Sequence, residues 1–495
     1  MQTLKKTIHD EMDKFAKNIE ERLSGWCSAH DPASFLEMEL DVHRVYRSLA
    51  DELVEKVLKI ILGNPEFRGQ TARALRASGR SYKDVGRREV PVTLLGGKKT
   101  RVEMEYFRRD LRGRPGRKRR SGRRGKAGGG IYPALAALGI WYMTTPALAS
   151  EVARQVTASD SVRAARAALA RRGIDLGHGK TLNLVNRVSH RAVEQRNEWL
   201  QRMRDSPTKA GPLANKRVVI ATDGGRLRER RSSNRGRKRA KTGRRGYQTP
   251  WREPKMLVIY TVDDKGKQSD VFRPVYDATL QDCDAVFEML VGYLRALGAH
   301  QAAELIIVGD GAKWIWGRVD ELVSQIGLER AKVTEVIDWY HAVETLHTIA
   351  SYPAKWSQKQ KAKWIRKAKR LLYAGKIDEL HTYISELAVG RRAKSVRKHR
   401  NYFLGNQARM QYEAFEGAGI PCGSGAVESA IRRVVNQRMK GNAKFWRESN
   451  AEGILLLRSY LKAGRFDDLV RWSFVSAAPW WNSQATQCSS PVATS

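Results

Sequence analysis

Cysteine is scarce in this chain and scattered where it occurs. Cys27, Cys283, Cys422 and Cys488 include no CxxC pair, which argues against a disulfide framework and a zinc ribbon; the thiols read as reduced and structural, with no zinc bound. Long apolar runs are missing as well. None reaches the roughly 18 residues a spanning helix needs, and the mean hydropathy is −0.53, so no membrane partner is expected. The opening MQTLKKTIHDEMDKF has acids and lacks the apolar stretch of a secretory leader, and the expected location is cytoplasmic, in association with the nucleoid. Acid is the scarcest class of all: 52 Asp and Glu stand against 91 Lys and Arg, a net charge of +39 over 495 residues. Such a surface attracts polyanions, and nucleic acid is the expected partner.

Length and 41% hydrophobic content allow several domains. Residues 1–107 read as a helical and hairpin region. Leu4, Ile8, Met12, Phe15, Ile19 and Leu23 recur at spacings of three and four, giving a helix with one apolar face that either docks another chain or packs on its own domain. A second helix is expected over 32–62, then strands over 90–95 and 100–107 around Gly96-Gly97, a hairpin signal. Residues 108–130 form a basic Arg/Gly linker that cannot make a core. Over 131–210, SEVARQV and KTLNLVNRVSHRAV suggest a helix-turn-helix-like pair, with Lys180, Asn183, Asn186, Arg187 and His190 available to DNA; an ordinary helical bundle fits the pattern too.

From Lys216 the pattern alternates: KRVVIATD, MLVIYTVDD and DVFRPVYD, a helix near 282–297, ELIIVGD, a helix over 312–326, and VTEVID. Three neighbouring strands followed by alternating helix and strand predict an α/β core of RNase H-like mixed-sheet type over 216–352 and 420–465, interrupted by a helical insertion over 353–419. Between the first two strands lies an arginine block with Arg226, Arg228 and Arg230, expected to be a mobile loop in the absence of nucleic acid. The tail over 479–495 is expected to be disordered.

Against the basic background, three acids occupy chemical positions. Asp223 ends VVIATD, Asp310 ends LIIVGD, and Glu428 opens a helix after Gly423-Ser424-Gly425. Buried strands that end in aspartate deliver carboxylates to one edge of a sheet. Mg²⁺ or Mn²⁺ takes such oxygens, and three carboxylates can hold two ions about 4 Å apart for in-line phosphoryl transfer. Each acid also has a plainer reading: Asp-Gly is a common turn, and an acid in a first helical turn complements the macrodipole.

DGGR, GDGAKWIW, DWYHAVETL and GSGAVESAIRRVVNQRMKGNAKFW together resemble the DDE transposases of bacterial insertion sequences, of the Kra type and more distantly of the Mutator-like group. The resemblance covers roughly 216–461. It implies that Asp223, Asp310 and Glu428 are the catalytic, metal-binding triad, and that double-stranded DNA at transposon ends and target is the substrate. It implies cleavage by water followed by strand transfer from a 3′-hydroxyl, with a homo-oligomer synapsing the ends. Several relatives have a Cys-rich zinc motif upstream where this chain has arginine and glycine.

Asp338 and His341 are candidates for supporting roles at the triad, or for capping the next helix. Arg432, Arg433, Arg438 and Lys440 read as phosphate contacts or a solvated face. Trp446 reads as a base-stacking group or as core. An RNase H-like nuclease or resolvase shares the acid logic, and a transposase-derived DNA-binding protein without catalysis is a further alternative.

Overall fold

The amino-terminal apolar spacing forms two helices, α1 (Gln2–Cys27) and α2 (Pro32–Gly63). Asp31 caps α2 by accepting from the Ala33 and Ser34 amides, and the Ser34 hydroxyl in turn accepts from the Asp31 amide. The two helices meet through Phe15 and Tyr46, edge to face at 5.9 Å, while Ile8, Met12 and Leu23 stay exposed. A third helix, α3 (Pro65–Ala77), was not anticipated; Asn64 caps it.

Gly96-Gly97 closes a hairpin longer than expected, β1 (Tyr82–Thr93) against β2 (Lys99–Arg109), with β3 (Gly130–Ile131) added at the edge. Gly97 has φ +99°, a conformation that favours glycine. The Asp51 carboxylate of α2 accepts from the Gly96 and Lys98 amides at 2.9 and 3.0 Å. One turn on, Glu55 takes the Thr100 hydroxyl at 2.7 Å and the Lys59 and Lys98 ammonium groups. Hairpin and helix are thereby fastened by buried carboxylates.

Next come α4 (Pro133–Ala137), α5 (Pro146–Ala158), α6 (Val162–Ala170) and α7 (His178–Asp205). The expected helix-turn-helix pair is not consecutive, because α6 lies between its members: Ser161 starts α6 by capping Ala164, and small alanines give it a packable face.

In this computed structural model the described residues are 2–78, 82–109, 130–232, 246–475 and 480–481. Most of the Arg/Gly linker (110–129), the tip of the arginine block (233–245) and the tail from 482 lie outside them. The chain divides into two compact units, Met1–Arg191 with the segment from Val470, and Ala192–Leu469. Among the described residues no helix is long and apolar enough to cross a membrane.

The second unit is built on a mixed sheet of five strands: β4 (Arg217–Gly224), β9 (Lys255–Val262), β10 (Val275–Thr279), β11 (Glu304–Gly309) and β12 (Val333–Ile337), in the order β10-β9-β4-β11-β12. The first three pair antiparallel, while β11 runs parallel to both β4 and β12. Their near-continuous Val, Ile and Leu are buried on both faces, as parallel strands require, by α8 (Cys283–Ala296), α9 (Lys313–Trp316) and α10 (Val319–Ile326) among others. Between β4 and β9 the arginine block is not a simple loop at its base. There β5 (Leu227–Arg228) pairs with β8 (Trp251–Arg252), and β6 (Arg231–Ser232) with β7 (Tyr247–Gln248).

After β12 come α11 (Trp339–Ser351), α12 (Gln358–Tyr373), α13 (Ile377–Ser385), α14 (Ala393–Leu404) and α15 (Tyr412–Gly417). They share a hydrophobic cluster that includes Ala342, Leu346, Trp364, Leu372, Phe403 and Tyr412, so α11 packs with the helices of 353–419. Trp339, Trp356 and Trp364 all belong to that packing. The chain returns through α16 (Gly425–Ile431), a π turn over Arg432–Asn436, α17 (Gln437–Met439), α18 (Glu448–Lys462) and α19 (Phe466–Val475).

Burial alone would raise the Glu55 carboxyl, but Lys59, Lys98 and Thr100 outweigh it and hold it at about 2, below its usual 4.5. A depressed carboxylate stabilises the fold above its unfolded value and loses that contribution as pH falls through the folded one. Acid titration of unfolding between about pH 5 and 2 should therefore weaken the wild type more steeply than Glu55→Gln, the two converging near pH 2. Parallel curves would remove Glu55 from the acid response.

Candidate metal centre at the ends of three parallel strands

Register decides which side chains meet at the edge of the five-stranded sheet. In β11 and β4, Val308 stands opposite Ala221; in β11 and β12, Gly309 stands opposite Ile337. Carried one or two residues further, both registers set Asp223, Asp310 and Asp338 abreast, on strands about 4.8 Å apart. The Asp338 amide donates to the Gly309 carbonyl at 2.8 Å, holding the row together past the last ladder bond. Asp223 and Asp310 were read from the sequence as strand-end acids. That Asp338 shares their row was not, since VTEVID is a weaker apolar run than the other two.

Glu428 arrives from α16, which packs on β4 and β9. Its carboxylate accepts from the Ser424 hydroxyl at 3.3 Å. Asp338, fully buried, links the two sides of the site: one oxygen accepts from the His341 amide at 2.9 Å and so caps α11, and the other accepts from the Ser424 amide at the start of α16. Of the two roles open to Asp338, capping is the one the geometry displays. Beyond Glu428 the π turn frees backbone carbonyls, and buried Arg458 of α18 donates to those of Arg433 and Val434, the latter at 2.8 Å.

The acids feel one another. Burial pushes the Asp223 carboxyl up; the Gly224 amide at 2.6 Å and His341 pull it down, and Asp310 and Glu428 push it up again. At Asp338 burial is outweighed by His341 and Ser424, which hold it at about 2. His341 is raised to about 9 by its contact with Asp338, against burial and with help from the charges of Asp338, Asp223 and Asp310. Its Nδ1 lies 3.5 Å from Asp338 Oδ1. The imidazole is thus protonated at neutral pH and is the local counter-charge to the carboxylates.

Among the described residues one donor set meets the spacing of a metal site. Ligand atoms of Asp338, His341 and Glu428 lie within 4.8 Å of one another, a spacing that could hold a cation, and Asp223 and Asp310 are not part of that group. Yet both oxygens of Asp338 already accept backbone amides, and His341, raised by the neighbouring carboxylates, would have to release a proton before it could ligate. Asp223 and Asp310 each accept one backbone amide on Oδ1, leaving the other oxygen without a hydrogen-bond partner among the described residues. On donor chemistry, Asp223, Asp310 and Glu428 fit a hard divalent cation better.

The predicted basic contacts divide. Arg226, Arg228 and Arg230 are exposed and alternate with buried Leu227 and Glu229; Arg228 lies over the Trp251 ring and Arg230 over Tyr247. Arg432 and Lys440 are exposed. Arg433 is half-buried and donates to the Tyr276 hydroxyl at 3.0 Å. Arg438 is 5% exposed and stacks on Trp446, whose indole nitrogen donates to the Met439 carbonyl at 3.0 Å. That pair is packed together, which corrects the readings of a phosphate contact at Arg438 and an open stacking platform at Trp446. In the first unit, Asn183 and Arg187 are exposed. Lys180 instead donates to Thr93 and to the Met143 carbonyl at 3.2 and 3.3 Å, a structural tie rather than a DNA contact.

Comparison with protein-family models, curated proteins and solved structures finds no match to this chain.

Asp338→Ala removes a helix cap and the tie to α16, and should destabilise the protein by about 1–3 kcal/mol in urea unfolding. Asp338→Asn, which keeps one acceptor oxygen, should cost less. Equal stability of all three proteins would contradict the clamp.

Proposed function

We propose that this protein is a DNA transposase of the DDE type, with an RNase H-like core that cleaves at transposon ends and joins the freed 3′-hydroxyl to target DNA. The observation that carries the reading is the meeting of Asp223, Asp310 and Glu428. These acids lie far apart in sequence and were read from it as one triad; register sets Asp223 beside Asp310, Glu428 arrives on α16 packed against β4, and the charges of Asp310 and Glu428 raise the Asp223 carboxyl. The strand order, three antiparallel strands followed by two parallel ones, agrees with the expected core.

Asp223, Asp310 and Glu428 would supply carboxylate oxygens to two Mg²⁺ or Mn²⁺ ions. Bound there, the pair would activate the attacking oxygen and stabilise the leaving oxygen of an in-line displacement. The protein's own groups do the rest. Asp338 holds the Glu428 turn against the strand ends. The His341 imidazolium offers a charged donor to a phosphate oxygen. Arg226, Arg228, Arg230, Arg432 and Lys440 present exposed positive charge on the same unit, the electrostatic grip a DNA backbone requires. The chemistry needs no covalent protein–DNA intermediate.

With Mg²⁺ and DNA carrying the element's own ends, Asp223→Asn, Asp310→Asn and Glu428→Gln should each lower cleavage and joining at least about a hundredfold, while salt-dependent duplex binding persists. Wild-type rates in all three would sink the triad. Nicked DNA without new strand linkages would favour a nuclease instead.

A further inference from the structure

Beside the acids lies a cavity of about 410 Å³, within the range of small-ligand clefts. It opens where the two segments that build the metal centre turn away from it. Trp339 and Tyr340 follow Asp338, and Gly423 precedes Ser424. The Trp339 amide donates to the Cys422 carbonyl at 2.9 Å, so the cavity floor is fastened to the same clamp that sets Glu428.

Its walls are aromatic. Trp339 meets Tyr412 edge to face at 4.8 Å and Tyr373 at 6.1 Å. Tyr340 is 62% exposed and lies against Gly423, where a Cβ would come within 3.2 Å of its ring. The Glu416 carboxylate is among the polar groups of this lining, whereas the Tyr412 hydroxyl is buried behind it. The Tyr412 side chain is 1% exposed, and its hydroxyl has no hydrogen-bond partner among the described residues. Glu416 accepts from the Tyr373 hydroxyl. In a chain with 91 lysines and arginines, neither residue type lines this cavity. A phosphate would meet a carboxylate and no cation there. A flat, uncharged ring with donors on its edge meets stacking faces and a carboxylate acceptor.

We propose that this cavity receives one unpaired nucleobase of the DNA strand whose phosphate lies at the acids, an inference that rests on the DNA-processing function proposed above. Stacking on Tyr340 and Trp339 holds the base, and Glu416 addresses its edge. Taking one base out of the helix anchors the strand beside the reacting phosphate and offsets part of the cost of opening the duplex there.

The test uses the full-length protein with Ca²⁺ and a short duplex bearing one unpaired 2-aminopurine beside a nick. Wild type should quench the 2-aminopurine emission. Tyr340→Ala, at an exposed position, should restore the emission and weaken binding of this probe by about five- to a hundredfold; Tyr340→Phe should behave as wild type, and all three should bind a fully paired duplex equally. Equal emission and affinity for wild type and Tyr340→Ala would overturn the base site alone, provided Mg²⁺-dependent cleavage is intact. Failure to bind any duplex would overturn the base site together with the function it rests on.

Discussion

Carboxylates of like charge repel, and holding three of them abreast at the end of a sheet is the constraint on which the second unit turns. Parallel register between β4, β11 and β12 produces the row, and α16 adds a fourth acid. Burial removes much of the water that would screen them. The protein answers with a protonated His341, with backbone amides on Asp223, Asp310 and Asp338, and with the Asp338 clamp on α16. Asp223 is the member left most strained, its carboxyl raised by burial and by its neighbours. A multivalent cation would relieve that strain more fully than one imidazolium does.

The opposite problem governs the rest of the surface. A net charge of +39 has to be spread without unfolding the chain, and several cations are disposed of internally. Arg196 is buried between Asp277 and Glu452, at 3.0 Å from each, joining α7, β10 and α18. Arg458 satisfies the carbonyls of the π turn. Those left exposed near the acids, on the ribbon of Arg226 to Arg230 and past Glu428, match the polyanion that the composition calls for.

Legibility in the sequence depended on which features are local. Strand-end acids are local, because a short, β-branched run such as Leu305-Ile306-Ile307-Val308 closed by Gly309 reads as a buried strand, and the polar residues after it leave the sheet; Asp223 and Asp310 were therefore readable. The hairpin at Gly96-Gly97 is local too. Helix α6 escaped because the turn at Ser159-Asp160-Ser161, where Ser161 caps it, is short and lies inside an otherwise helical stretch. Arg438 and Lys180 were misplaced because a basic residue in a basic chain looks solvated until a distant aromatic ring or carbonyl covers it. Asp338 was placed near the site, but its clamp on Ser424 spans 86 residues, and no spacing rule reaches that far. The cavity beside Tyr340 has the same cause: Trp339, Tyr373 and Tyr412 read as scattered aromatics until α11, α12 and α15 bring them together.

The central claim is that Asp223, Asp310 and Glu428, rather than Asp338, His341 and Glu428, form the metal centre. Anomalous diffraction from crystals grown with Mn²⁺ separates the two sets directly. Two peaks about 4 Å apart, ligated by Asp223, Asp310 and Glu428 with Asp338 still bound to the Ser424 amide, is the predicted result. A single peak on Asp338, His341 and Glu428, or none at the strand ends, would contradict the account.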